Sequence, residues 1–313
     1  MSALLSRLFK IFFKRKLSVI FTLLTPLIII FVYILVLKSN FNKNTDDFLT
    51  KLTYNMPIDD SSLSFIKDRM YSMADQFFIC GLLATTSFTI AFSLCKTMID
   101  DKDKEIINDF ISTPIKSWKI RYSYIIFNIL ANWMITTFIF IIAVIYISAT
   151  NSILFIKPIK LFIVYLISLL GVISSSLLAV NIFWNVKKDW VYSAVLMPIS
   201  VISGFAIGAY MPVSLFPDFI ESIFNLIPAS GLSISMRNII MNDSFNEIIN
   251  KLNELTNNNF NNSQVFVNLF SIKGNLFGTY FDYKLFTIYA SIFTILLGLG
   301  ILLLEIKHKR RVK

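Results

Sequence analysis

The sequence predicts an all-α polytopic membrane protein with six transmembrane helices. Three observations predict it. Of the 313 residues, 56% are hydrophobic. Only 15% are charged, where soluble domains carry about a quarter. The apolar residues also gather into six long runs, and the mean hydropathy is +0.69. Unpaired backbone groups are costly in hydrocarbon, so each run of about 20 apolar residues is read as a helix that closes its own hydrogen bonds.

The elements follow in order. Residues 1–16 form an amphipathic interfacial helix, with Leu4, Leu5, Leu8, Ile11 and Phe12 on one face and Ser6, Arg7, Lys10 and Lys14 on another. The first span, residues 17–37, is too long for a signal-peptide core and lacks small residues at its end, so it is read as an uncleaved anchor. An outer loop (38–76) leads to the second span (77–95), a cytosolic loop (96–121) and the third span (122–149). The fourth (161–186) and fifth (191–212) spans follow, then a long outer segment (213–284), the sixth span (285–304) and a basic cytosolic tail (305–313). Orientation comes from charge: 18 of the 29 Lys and Arg lie in the amino-terminal segment, the 96–121 loop, Lys187-Lys188 and the tail. By the positive-inside rule both termini are cytosolic.

The net charge of +10 does not indicate nucleic acid, because the basic residues flank apolar segments and suit anionic lipid headgroups. Cys80 and Cys95 lie on one predicted helix, about 22 Å apart along its axis at about 1.5 Å per residue, and cannot pair. The single histidine, His308, sits in the basic tail, and no metal-ligand spacing accompanies it. The chain has no Gly-x-x-x-x-Gly-Lys-Ser/Thr phosphate loop and no catalytic constellation, so no cofactor is expected on it and any ATP must be used by another polypeptide. None of the six spans contains Asp, Glu, Lys or Arg, which argues against ion coupling.

Uncharged polar residues do occur within spans. Thr85, Thr86 and Thr89 on the second and Asn128 and Asn132 on the third either bond neighbouring helices or line a translocation path. Both readings stand at this level.

The most informative loop is 96–121. Ile99, Ile106, Ile107, Phe110 and Ile111 share a helical face, the rest is charged, and Thr113-Pro114 ends the helix. Three further patterns accompany it: the basic amphipathic amino-terminal helix, Glu105 followed by Phe110-Ile111-Ser112-Thr113-Pro114-Ile115, and the stretch Gly204-Phe205-Ala206-Ile207-Gly208 with Met211-Pro212, Phe216-Pro217 and Leu226-Ile227-Pro228. With the six-span plan, these make the chain resemble permeases of the ABC-2 family, membrane subunits of exporters that move drugs, lipids and polysaccharides. The resemblance implies that residues 101–114 act as a coupling helix on a separate nucleotide-binding ATPase subunit, which would hold ATP and Mg. Glu105 would be the acidic anchor, with Ile106, Ile107, Phe110, Ile111 and Pro114 around it. It also implies a second permease copy or homologue, a bacterial plasma-membrane location, and outer re-entrant helices after the fifth span. Phe219, Ile220, Ile223, Phe224 and Ile227, bounded by Pro217 and Pro228, have the spacing for one.

Residues 242–268 depart from that plan: ten asparagines suggest a long outer loop, either a small cap or a mobile segment. Two other functions stay open, an ATP-independent transporter or channel and a membrane-anchored interaction or immunity protein.

Overall fold

The computed structural model describes residues 1–55, 59–112, 116–150, 152–255, 270 and 272–311. Among the described residues, six helices are long and apolar enough to cross a membrane.

Helix α1 (Ser2–Lys14) buries Leu4, Leu8 and Phe12, one residue per turn, against α7 (Ser117–Ala149), and ends at Arg15. Helix α2 (Lys16–Val32) runs through a π-helical turn (Tyr33–Leu37) into α3 (Lys38–Asn55). Helix α4 (Asp60–Leu94) starts where the Asp59 carboxylate accepts the backbone N–H of Ser62 at 3.2 Å. The expected outer loop 38–76 is therefore largely helical. Its polar residues lie on extensions of the first two spans, some of them exposed and others, such as Ser72, Asp75 and Gln76, buried in the bundle.

Helix α4 is the axis of the fold, with α2, α3, α7, α8 (Pro158–Phe183), α9 (Asp189–Ala206) and α11 (Pro228–Leu255) around it. Its small residues Gly81, Ala84, Ser87 and Ala91 permit this close surrounding. The last helix, α12 (Tyr283–Arg311), packs on α8 and α11, and a small hairpin of β1 (Gly274–Leu276) and β2 (Thr279–Phe281) precedes it. Phe277 and Gly278 make its two-residue turn, both at positive φ.

Two expectations change here, for the end of the fifth span and for the Asn-rich stretch, while a short helix lies after Pro217 where the spacing places one. The fifth span does not run to residue 212: α9 ends at Ala206, and Gly208, at φ +80°, turns the chain. The outer segment contains α10 (Asp218–Asn225), joined to α11 at a 96° bend. In α10 the polar Glu221, Ser222 and Asn225 are buried, while Phe219 is 70% exposed, the arrangement expected of a helix facing lipid. Finally, the Asn-rich stretch is helical as far as Leu255, because Ile248 and Leu252 one turn apart are fully buried. Residues 256–269 lie outside the described residues.

Ionisable groups absent from the six predicted spans are nonetheless buried in the bundle. Asp75 on α4 accepts hydrogen bonds from Tyr33 at 2.6 Å, Ser152 at 2.7 Å and Tyr146 at 3.1 Å, and pairs with Lys38 at 3.1 Å. Arg237 on α11 is fully buried.

Candidate functional site

The segments to which charge counting assigns one side of the membrane meet at one end of the bundle. Arg7 on α1 donates both Nη groups to Asp101, at 2.8 and 2.9 Å, and the Tyr124 hydroxyl of α7 donates to the same carboxylate at 2.6 Å. Asp101 is buried on α5 (Lys96–Asp103). Its carboxylate is the main reason that the Arg7 guanidinium holds its proton more firmly than a free arginine. The Arg7 guanidinium also lies 5.1 Å from the centre of the Phe110 ring, on α6 (Ile106–Ile111). One arginine thus ties α1 to α5 and α6.

Neighbouring contacts extend the junction. Arg15 pairs with Asp100, and Lys96 bridges Asp100 at 3.0 Å and Asp189 at the start of α9. Lys188 meets Asp103 at 3.3 Å. Lys102 donates to the Trp184 carbonyl beyond the end of α8 and lies 4.5 Å from the ring of that tryptophan. A groove of about 220 Å³ between α1 and α5 is lined by Arg7, Ile11, Lys14, Arg15, Asp100, Asp101, Lys104 and Ile106.

The expected single helix through Ile99 and Ile111 is two helices. Glu105 adopts φ 60°, a left-handed conformation, and the chain breaks between α5 and α6. The break separates the shared apolar face. Ile99 is fully buried in the bundle, while Ile107 and Phe110 are partly buried against it and the Glu105 side chain is exposed at the corner. A left-handed glutamate gives up the helical hydrogen bonds that would continue α5, and no periodicity signals this. Ile111 closes α6, and Pro114 lies outside the described residues. Sequence reasoning also missed Asp101, whose only signal was an acid opposite the basic helix face.

The candidate pathway residues are all buried between helices. Asn128 donates to the Ala91 carbonyl at 2.8 Å. Asn132 donates to the Ser87 carbonyl at 2.8 Å and to Ser176 at 3.3 Å, and accepts from Thr136 at 3.1 Å, so one side chain links α4, α7 and α8. Thr86 and Thr89 bond carbonyls of their own helix, and Thr85 is buried beside them. Replacing Asn132 by Leu removes these bonds and is expected to cost about 1–2 kcal/mol. Thermal unfolding should shift downward together with transport. A transport defect at unchanged unfolding temperature would instead make Asn132 a pathway residue.

These features, an all-α bundle of spanning helices with a clamped amphipathic tip at one end and the bent pair α10–α11 near the other, define a polytopic membrane protein. A model of the ABC-2 family transporter proteins matches residues 47–306, and the chain belongs to that family. The match takes in α4 to α11 and most of α12, and so includes α5, α6 and the bent pair α10–α11. No curated protein and no solved structure matches the chain. The chain is accordingly a membrane transport permease, in a family whose members are membrane subunits, generally not catalytic, that work with ATP-binding subunits.

Proposed function

We propose that this chain is the permease subunit of an ATP-driven exporter for amphipathic substrates, with both termini in the cytosol of a bacterial cell. A separate ATPase subunit, carrying ATP and Mg, grips the tip formed by α5, Glu105 and α6. The observation that carries the reading is the Arg7–Asp101–Tyr124 junction with Phe110 over it. A tip held only by its own loop would yield when pushed. This one is fastened to α1 and α7, and α5 is continuous with the central helix α4 through Cys95. Displacement of the tip is therefore carried into the axis of the bundle, the linkage that alternating access between two permease copies requires.

The test is capture of an ATPase by the tagged chain from its native membranes. Wild type should retain a polypeptide with a phosphate loop and raise its ATP turnover. Phe110→Pro, which breaks α6, should reduce capture at least about 10-fold while insertion of the spans stays unchanged. Equal capture and equal stimulation with both chains would reject the tip as the docking site. Glu105→Gly is the complementary variant. Glycine relieves the left-handed strain, so loss of capture with this variant would come from the missing carboxylate and not from altered folding.

A further inference from the structure

The permease machinery described so far does not explain the burial of Arg237. It lies on α11, 0% exposed, with its guanidinium carbon 3.9 Å above the Phe77 ring of α4. Nη2 donates to the Gly208 carbonyl. Nε and Nη1 have no hydrogen-bond partner among the described residues. The turn after α9 accounts for the one bond made. Ser233 caps the Ile207 carbonyl at 2.9 Å and Arg237 caps Gly208, so cation and hydroxyl complete the end of a helix whose dipole is negative there. A lysine or a glutamine could also provide one donor. A guanidinium brings five, in a planar fork suited to carboxylate or phosphate, at the high cost of desolvating a permanent charge.

The backbone around the fork is cleared for it. A Cβ at Gly208 would stand 3.0 Å from Nη1, and one at Gly81 would stand 3.1 Å from Nη2. Beside these glycines lie Phe77, Cys80 and the Val213 methyl group. A cation with no acidic partner among the described residues, set against Phe77 and Val213 and covered by a turn that ends a spanning helix, is matched by an anionic head on an apolar body.

We propose that Arg237 is the recognition point for the acidic head, carboxylate or phosphate, of an amphiphile, and that the Gly208 turn covers it in the state seen here. When the turn moves off α11, the freed fork takes the oxyanion through two parallel N–H···O bonds. The proposal rests on the permease reading for its role in transport. Binding itself is read on the isolated chain, without any ATPase, so that its failure and the failure of ATPase docking are separate results.

The experiment uses the purified full chain in neutral detergent, titrated with oleoyl lysophosphatidylglycerol and with oleoyl lysophosphatidylcholine, the same acyl chain with and without net negative charge. Wild type is expected to bind the anionic probe at least about 10-fold more tightly, with a preference that persists in high salt, where binding at surface lysines is screened. Arg237→Gln should abolish the preference, and Arg237→Lys should keep part of it. A preference unchanged in Arg237→Gln overturns the proposal and leaves Arg237 as a helix-end clamp. Wild-type protein provides a second arm that does not depend on a variant folding. Phenylglyoxal labelling of Arg237, located by peptide mass, should be slowed several-fold by the anionic probe and not by the zwitterionic one. Equal labelling with both probes, or no labelling under any condition, also overturns it. Lipid extraction separates the two sources of the head. An acidic lipid that co-purifies in stoichiometric amount with wild type and is lost from Arg237→Gln marks a resident lipid. A site that purifies empty and fills only with added probe marks the transported amphiphile.

Discussion

Asp101→Ala is expected to detach α1 from the bundle and to cost about 2–4 kcal/mol locally. The carboxylate holds three charge-assisted hydrogen bonds, two of them from Arg7, and it is buried. Alanine leaves the buried Tyr124 hydroxyl without its acceptor, and that desolvation penalty is the larger part of the loss. Arg7, whose side chain is 30% exposed, can turn partly toward water and recovers some of it. At about 1.4 kcal/mol per factor of ten, the population with α1 released should rise at least about 25-fold. Faster amide exchange across residues 2–14 and faster tryptic cleavage at Arg7, Lys10 and Lys14 would report it, with exchange in α4 unchanged because the opening is local. The comparison is Arg15→Ala. Its pair with Asp100 is more exposed, at 42% for the arginine side chain, and exposed pairs contribute less than about 1 kcal/mol. Equal effects of the two substitutions would show that burial of Asp101 does not set the strength of the junction.

This junction shows where reading the sequence reaches its limit. The six spans, the amphipathic α1 and the side on which the basic loops gather follow from hydropathy, from period 3.6 and from Lys/Arg counts, because lipid and headgroups act on each segment separately. The pairing of Arg7 with Asp101 joins residues 94 positions apart, and nothing local distinguishes Asp101 from the neighbouring Asp100 or Asp103. Helix α11 escaped detection for a related reason. Its first turns read Pro228-Ala229-Ser230-Gly231-Leu232-Ser233, small and polar, and a hydropathy scan registers contact with lipid. This helix touches protein on its sides, α4, α8 and α12, so small residues and serines serve close approach and hydrogen bonds instead. Arg237 was hidden with it. The spans are uncharged as sequences, yet the bundle they enclose is not. The break at Glu105 is a backbone choice that residue type disfavours, and such choices become visible only when the neighbouring packing is known.

Gly81 shows the same dependence on packing, and Gly81→Val should be among the most damaging single changes in the chain. A Cβ there would lie 2.8 Å from the Ala209 Cα and 3.1 Å from the Gly208 carbonyl oxygen. Both belong to backbone, so relief requires moving the turn after α9 away from α4. That turn is held by Ser233 and Arg237, and shifting it breaks both bonds. The overpacking and the lost bonds together are expected to cost about 3 kcal/mol or more. The readout is intrinsic to the protein. Cys80 and Cys95 are both buried, so a thiol-reactive dye stays dark until the bundle opens. The midpoint of dye labelling on heating should fall by several degrees for Gly81→Val and less for Gly81→Ala. Gly298→Ala provides the contrast. It lies in α12, with nothing within 4 Å of its added Cβ, and alanine is the better helix former by about 1 kcal/mol. Its midpoint should stay or rise. A matching fall at both glycines would mean that helix flexibility, and not the contact of Gly81 with the Gly208 turn, governs stability. The close approach through which Arg237 is covered would then lose its main support.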